Sequence, residues 1–89
     1  MPLQLISYAL KKRGRNYDDL FNAIVKLGKW WNCLDTVWIV KTELSCFQVQ
    51  ELLHPYIDEK DELVVLGLNG NWATCGFPEE CRDWLRDNL

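Results

Sequence analysis

The sequence predicts a small α+β domain in which two helices cover one face of an antiparallel sheet. Apolar segments rich in strand-forming residues alternate with two segments that carry helix signals, an order typical of this class. The 89 residues, 48% of them apolar, suffice for one packed core and therefore for one domain. We expect the core over about residues 1–68 and a C-terminal extension over about residues 69–89.

The chain opens with a predicted strand over residues 3–10. Both faces of this strand are largely apolar, which favours a central position in a sheet over an edge. A helix follows over residues 17–27, with Asn16 expected as its cap and Gly28 expected to take a left-handed conformation at its end. Its apolar face repeats at the spacing i, i+3, i+4, i+7 and consists of Tyr17, Leu20, Phe21 and Ile24.

Two neighbouring segments, residues 30–34 and residues 36–41, are rich in aromatic and β-branched residues, which favour strands. Asp35 lies between them. The sequence is compatible with two strands joined by a very tight connection and with one long bent strand. Both alternatives remain open at this point.

A second helix is predicted over about residues 46–53, because Ser45 and Gln48 match a capping box and Pro55 ends the helix. The residues expected to face inward are Val49, Leu52 and Leu53. The continuous apolar run over residues 62–68 predicts a second buried strand.

The C-terminal extension begins with Asn69-Gly70, a dipeptide typical of type I′ hairpin turns. We therefore expect a short returning strand over residues 72–75. Pro78 is expected to start a last helix that continues to about residue 88. The narrow apolar stripe of this helix consists of Cys81, Trp84 and Leu85.

The order β-α-β-β-α-β, followed by a short strand and a helix, predicts a ferredoxin-like sandwich with those two elements as an extension. In this arrangement both central helices lie on one face of the sheet, so the other face lacks helical cover. Apolar residues on that face then need either a partner or the C-terminal extension to shield them from water.

The formal net charge of −3 is unevenly distributed. Residues 1–41 hold seven Lys and Arg against three Asp and Glu, whereas residues 42–89 hold three against ten. The overall acidity argues against a general nucleic-acid-binding protein. The best candidate for following a phosphate backbone is a basic loop formed by Lys11, Lys12, Arg13 and Arg15. The alternative is a solvated loop that keeps the chain soluble.

The four cysteines, at positions 33, 46, 75 and 81, include no C-x-x-C pair, and the single histidine lies before a proline. Zinc ligands require closer pairing, so no metal site is predicted. The N-terminus lacks the features of a signal peptide, and no apolar run approaches the roughly 20 residues of a membrane span. We therefore expect a cytoplasmic protein, with no membrane partner, whose thiols are reduced.

Several short segments, taken in order, carry a resemblance to a known family: ISYAL, the basic loop, a first helix ending at Gly28, a Trp-rich hairpin ending in TVWIV, and DELVVLGLNGNWA. They resemble the SinR-like small proteins, which are grouped with the CRISPR-associated small dimeric nucleases (the second Cas protein) and with the VapD-type toxins. The resemblance extends through about Ala73. It implies a ferredoxin-like protomer and a homodimer formed through the sheets.

The resemblance departs from the nucleases at one position. In those relatives an Asp follows the Tyr at the end of the first strand, and the two Asp residues of a dimer are thought to hold a divalent metal. Tyr8 matches the aromatic residue, but Ala9 stands where the acid would be. A methyl group can neither ligate Mg²⁺ nor act as a general base. We therefore expect a non-catalytic homodimeric binding module without a cofactor, which could bind nucleic acid through the basic loop.

The alternative is a divalent-metal-dependent endonuclease or toxin ribonuclease that uses Mg²⁺ or Mn²⁺ and other acids, such as Asp35. Four acids at positions 58, 59, 61 and 62 could also hold a cation, although a solvated turn is the simpler interpretation. The aromatic residues that could stack on bases or form an interface are Tyr8, Trp30, Trp31 and Trp72.

Overall fold

The computed structural model describes residues 2–12, 14 and 16–89. Its elements are β1 (Leu3–Ala9), α1 (Asp18–Val25), β2 (Lys29–Leu34), β3 (Val37–Lys41), α2 (Cys46–Leu53), a 3₁₀ turn (His54–Tyr56), β4 (Glu62–Leu68) and α3 (Glu79–Asn88). The predicted α+β class is confirmed. None of the helices in this described part has the length and apolar character of a membrane span.

The four strands form one antiparallel sheet in the order β2-β3-β1-β4. β1 is paired on both sides, with β3 and with β4, so its predicted central position is confirmed. β4 lies at an edge of this sheet, and the side chains of Val64 and Leu66 are 46% and 52% exposed. The prediction of a second buried strand is therefore wrong, because an apolar run alone does not distinguish an edge from a centre.

β2 and β3 form a hairpin joined by a two-residue turn at residues 35–36, so the alternative of one long bent strand is wrong. The pairing is regular from Lys29 to Trp31 and shifts between Trp31 and Leu34, which marks a bulge. At this irregular end, Nδ2 of Asn32 donates to the main-chain oxygens of Leu34 and Val37 at 2.8 and 2.9 Å. The side chain thus satisfies carbonyl groups beside the bulge.

The first core lies between the sheet and the helices α1 and α2. Its buried side chains are Ile6, Tyr8, Leu20, Ile24, Trp38, Val40, Val49 and Leu53. The predicted capping box of α2 is confirmed, because Ser45 and Gln48 exchange both bonds, at 3.1 and 2.9 Å. Leu52, expected to face inward, is instead 52% exposed, since the buried stripe of this short helix is restricted to Val49 and Leu53.

α1 is shorter than predicted, and its N-cap residue is Tyr17, which makes no side-chain capping bond, so the expectation of Asn16 as the cap is wrong. The Oδ1 atom of Asn16 accepts a hydrogen bond from the main-chain nitrogen of Asp18 at 2.8 Å. The helix ends at Val25, and residues 26–27 form a turn. The predicted left-handed conformation at Gly28 is wrong in detail, because its φ of +152° lies far from the left-handed helical value.

The second face of the sheet, remote from α1 and α2, carries a second core. Its buried residues are Leu3, Trp31, Ile39 and Leu85. The predicted apolar stripe of α3 packs here, so the C-terminal extension shields part of this face as expected. Cys33 of β2 and Cys81 of α3 are joined by a disulfide bond, which corrects the expectation of reduced thiols for this pair. Cys46 and Cys75 are free thiols.

The connection between β4 and α3 differs from the prediction. Residues 69–78 contain no strand, so the expected short returning strand over residues 72–75 is wrong. The type I′ turn is also wrong, because that turn requires a positive φ at Asn69 and only Gly70 has one. The Asn69 side chain instead accepts a hydrogen bond from the main-chain nitrogen of Asn71 at 3.1 Å, the pattern of an Asx turn.

Gly28 lies against the main chain of Lys41. A Cβ atom at position 28 would overlap the carbonyl oxygen of Lys41, and φ there is positive. We expect Gly28→Ala to lower the free energy of unfolding by about 1–3 kcal/mol, measured by urea denaturation. Gly67→Ala is the matched control, because a Cβ at Gly67 would meet no atom within 4 Å. Equal stabilities of the two variants would contradict the proposed close approach.

Candidate functional site

Ala9, the residue on which the prediction of lost catalysis depends, is the last residue of β1. It is exposed and lies on the second face of the sheet, directly opposite Glu62 of β4. Ser7, the preceding residue on that face, is half-buried opposite Val64. The position of the family acid is thus open to solvent, and the carboxylate facing it belongs to Glu62.

That carboxylate is engaged by the basic loop. The Lys11 Nζ atom lies 2.7 Å from Oε1 of Glu62, and this hydrogen bond holds the pKa of Glu62 below its ordinary value. The stabilising effect of this pairing is present at neutral pH and is lost as the pH falls through the lowered pKa. Because both side chains are largely exposed, we expect the effect to be small and screened by salt.

The second lysine of the loop is paired in the same way. The Lys12 Nζ atom lies 3.3 Å from Oδ2 of Asp58. The pKa of Asp58 is lowered mainly by a hydrogen bond from the main-chain nitrogen of Lys60, and further by Lys12. Arg13 and Arg15, the other two members of the predicted basic loop, lie outside the described residues. The described part of the loop is therefore neutralised by an acidic turn that the sequence places about 46 residues away.

The carboxylate of Asp61 links the acidic turn to the basic loop through hydrogen bonds. Its side chain is buried, and it accepts hydrogen bonds from the main-chain nitrogens of Lys11 at 2.7 Å and Asp58 at 2.8 Å. It also accepts one from the Tyr17 hydroxyl at 2.8 Å. The interpretation of residues 58–62 as a solvated turn thus fails at Asp61. No sequence signal separates this Asp from its acidic neighbours, because two of its donors, Tyr17 and Lys11, are 44 and 50 residues away along the chain.

The four predicted aromatic residues occupy different environments. Tyr8 is buried, its hydroxyl accepts a hydrogen bond from Nε1 of Trp38 at 2.9 Å, and burial raises its pKa. Trp31 is buried on the second face, where its Nε1 donates to the main-chain oxygen of Cys81 at 3.0 Å. Trp30 is 45% exposed and Trp72 is 37% exposed. Only these last two present a ring surface of any extent to solvent.

The two exposed tryptophans do not share a surface. Trp30 packs on Trp38 of the first core, with ring centroids 5.3 Å apart, on the helix side of the sheet. Trp72 lines an apolar cavity of about 230 Å³ on the second face, between the sheet and the C-terminal extension. The structure therefore does not bring them together into one stacking platform.

Asp35, the acid of the alternative catalytic interpretation, is exposed in the β2–β3 turn. Its main-chain oxygen accepts a hydrogen bond from the Tyr8 hydroxyl at 3.3 Å, which places this turn beside the end of β1. Among residues 2–12, 14 and 16–89, no three His, Cys, Asp or Glu side chains are grouped in a way that could hold a metal ion.

The second face contains a surface that α3 does not cover. We call it the open strip, formed by Leu5, Ala9, Val64 and Leu66. Val64 and Leu66 are about half exposed, and Leu5 lies directly opposite Leu66. An exposed apolar strip at a sheet edge is typical of a contact surface. Sequence reasoning identified the uncovered face but did not assign these residues to it.

We expect Asp61→Asn to lower the free energy of unfolding by about 1.5–3 kcal/mol, because a buried carboxylate that accepts several hydrogen bonds is replaced by a neutral amide. Urea denaturation at pH 7 measures the difference. Glu59→Gln, a neighbouring exposed acid, is the control and should change stability by less than about 0.5 kcal/mol. A loss of the same size in both variants would show that general charge, not the buried bonds, is responsible.

The structure thus brings Lys11, Lys12 and Ala9 into one region at the end of β1, together with Glu62, and separates them from Trp30 on the helix side. This region combines paired charges with the apolar open strip. In comparisons with known proteins, the chain matches no protein-family model, no curated protein and no solved structure at a significant level.

Proposed function

We propose that the protein is a non-catalytic homodimeric binding module with a ferredoxin-like arrangement. The sheet order β2-β3-β1-β4 and the placement of α1 and α2 against one face support this arrangement. The resemblance to the SinR-like, CRISPR-associated and VapD-type proteins suggests the same architecture. The observation that carries the proposal is the open strip on the second face.

The open strip is suited to a second copy of the same chain. β4 has a free outer edge in the described sheet, and between Leu63 and Leu68 it contains neither a proline nor a charged residue. Such edges pair readily with another strand. Two copies joined antiparallel about Val65 would set Val64 of one copy opposite Leu66 of the other, so the strand is complementary to itself. A twofold dimer requires this kind of self-complementary surface.

The absence of a catalytic role rests on Ala9. The position is exposed at the end of β1, where a carboxylate could meet a metal ion, but the side chain offers no oxygen ligand. The proposal therefore includes no cofactor. Its alternative, a Mg²⁺- or Mn²⁺-dependent endonuclease or toxin ribonuclease, would have to use other acids, such as Asp35, whose main-chain oxygen accepts a hydrogen bond from the Tyr8 hydroxyl near the end of β1.

Nucleic-acid binding through Lys11, Lys12, Arg13 and Arg15 is a weaker part of the proposal. Lys11 and Lys12 are already paired with acids, so a phosphate backbone would have to compete with Glu62 and Asp58. Binding of this kind is salt-dependent and mostly independent of sequence. Loss of salt-sensitive binding to duplex DNA after charge reversal at Arg13 and Arg15 supports it, and no binding by the unmodified chain at low salt contradicts it.

We propose the cytoplasm as the compartment of this protein. The Cys33–Cys81 disulfide bears on this proposal, because its redox state differs between compartments. Disulfides are uncommon in cytosolic proteins and are usually redox-active where they occur. Thiol alkylation in intact cells measures the state of the pair. A pair that is reduced, or that responds to the redox state of the cell, supports the cytoplasm, whereas a pair that stays fully oxidised contradicts it.

The dimer is tested by Leu66→Lys, with Leu52→Lys as a matched control. Both leucines are 52% exposed, but Leu66 belongs to the open strip and Leu52 lies on the helix side. We expect the unmodified chain to sediment as a dimer, and Leu66→Lys to raise the dissociation constant at least about tenfold, because a buried ammonium group is costly. The control should remain dimeric. A monomeric unmodified chain at high micromolar concentration, or equal effects of both variants, would rule out the proposed interface.

The lack of catalysis is tested by incubating the purified protein with RNA and DNA in the presence of Mg²⁺ or Mn²⁺. We expect no cleavage by the unmodified chain. Ala9→Asp should create metal-dependent cleavage, because it places a carboxylate on the second face directly opposite Glu62. Cleavage by the unmodified chain that survives further purification and stops on Asp35→Ala would instead establish the alternative function.

A further inference from the structure

The apolar cavity of about 230 Å³ on the second face of the sheet has one wall made by the strands. Three side chains of this wall lie directly opposite one another in the register, namely Trp31 of β2, Ile39 of β3 and Leu5 of β1. Val37 precedes Ile39 by two residues in β3 and therefore points to the same face. The strand register thus places this wall on the second face, independently of the shape of the cavity.

The opposite wall of the cavity is formed by the C-terminal extension. Phe77 and Leu85 belong to this wall, and the ring of Phe77 meets that of Trp31 edge to face, with the ring centroids 5.6 Å apart. Trp72 also lines the cavity and is 37% exposed, so the cavity opens to solvent beside this ring. Aromatic side chains are therefore present on both walls.

The two walls are connected to each other by two bonds at Cys81 of α3. Its sulfur is bonded to that of Cys33 in β2, and its main-chain oxygen accepts a hydrogen bond from Nε1 of Trp31 at 3.0 Å. Leu85 follows one helical turn later on the same apolar stripe. These bonds hold α3 in place over the sheet, so the site is formed before a ligand arrives, and little ordering of the protein opposes binding.

The lining of the cavity has no charged side chain among the described residues, although 26% of the residues of this protein are charged. Apart from the tryptophan rings, the polar side chains of the lining all belong to the connection between β4 and α3, at Asn69, Asn71 and Thr74. A charged group inside the cavity would be removed from water without an opposite charge to pair with it, which is costly. The lining therefore favours a neutral ligand with an apolar body.

The volume of the cavity limits the size of its ligand. Protein interiors leave few spaces larger than a water molecule, so about 230 Å³ is more than ordinary packing leaves. An apolar cavity of about 150 Å³ stays free of water and binds benzene. The present cavity has room for a second fused ring, yet it is smaller than the roughly 300–1,000 Å³ of sites for drug-sized molecules.

We infer that this cavity binds a small, neutral, flat aromatic molecule of about two fused rings, the chemical class of indole. Trp31, Phe77 and Trp72 offer such a ring the edge-to-face and offset contacts that aromatic groups favour. Apolar side chains of the sheet supply the remaining contacts. The inference does not rest on the proposed dimer, because that dimer pairs the outer edge of β4, whereas the cavity lies between the sheet and the C-terminal extension.

The inference is tested by NMR titration of the unmodified chain with indole, following the indole N–H signals of its five tryptophans, assigned through single Trp→Phe variants. We expect the signals of Trp31 and Trp72 to shift with a dissociation constant below about 1 mM. Trp38 and Trp30 lie on the helix side, and their signals should not move. Trp30, which is 45% exposed, is the matched control for Trp72. Equal shifts of these two would mean non-specific stacking on exposed rings, and no shift at millimolar indole would overturn the site.

Two further probes define the ligand class. We expect indole to bind at least about tenfold more tightly than indole-5-carboxylate, because no charged side chain in the described lining can pair with the carboxylate. Equal binding of the two would contradict the selection for a neutral ligand. Tighter binding of N-acetyltryptophanamide than of indole would mean that the cavity receives a tryptophan side chain of another protein, and would overturn the assignment to a free small molecule.

The variant Val37→Phe locates the site, because it adds a ring to a side chain that lines the cavity. Val25→Phe, the same change at a 38% exposed position of α1, is its control. We expect the first variant to weaken indole binding at least about tenfold and the control less than about twofold. Equal losses would overturn the site. Ala73→Leu, in the connection between β4 and α3, also fills the cavity without altering a strand and should weaken binding in the same direction.

A stability readout accompanies the titration. Indole should raise the melting temperature of the unmodified chain in a concentration-dependent way, because it binds only the folded protein. Val37→Phe and Ala73→Leu should show no such rise, whether or not their own melting temperatures differ from that of the unmodified chain. An equal rise in the unmodified chain and in both variants would place the binding of indole outside the cavity and would overturn the inference.

Discussion

The alternation of side chains along β1 divides this small protein into two apolar layers. Ile6 and Tyr8 point to the helices, whereas Leu3 points to α3 on the other side. Because β1 is paired with both β3 and β4, its register decides which side chains of those strands reach which layer. A shift by one residue would exchange Trp38 with Ile39 and so remove from the first core its largest side chain.

The two layers are covered to different extents. Two helices close the first layer, whereas the second is closed only where α3 is attached. That attachment is concentrated at β2, through the Cys33–Cys81 disulfide and the hydrogen bond from Trp31 to the main chain of Cys81. The distant half of the same face, at β4, consequently keeps apolar side chains in contact with water. The asymmetry follows from where one short helix is fastened, and it is the physical basis of the proposed dimer.

The local signals at Ser45 and along α1 predicted the structure correctly, the local signal at Asn69-Gly70 did not, and long-range pairings left no signal in the sequence. The capping box at Ser45 depends on a residue three positions away, and the face of α1 depends on its own spacing, so both could be predicted. Two of the partners of Asp61 lie 44 and 50 residues away, and Cys33 and Cys81 are 48 residues apart, distances at which composition carries no pairing information.

The bulge in β2 has a consequence for assembly. A sheet that offered two regular edges could add copies without limit, since each new strand would create another edge for the next. Here the other edge strand, β2, is distorted between Trp31 and Leu34 and is linked to α3 by a disulfide bond. It is therefore poorly suited to pair with a strand of another copy. In the proposed dimer, pairing through the remaining edge at β4 would therefore end after two copies. The irregular β2–β3 hairpin would then favour a closed pair of subunits over a fibre.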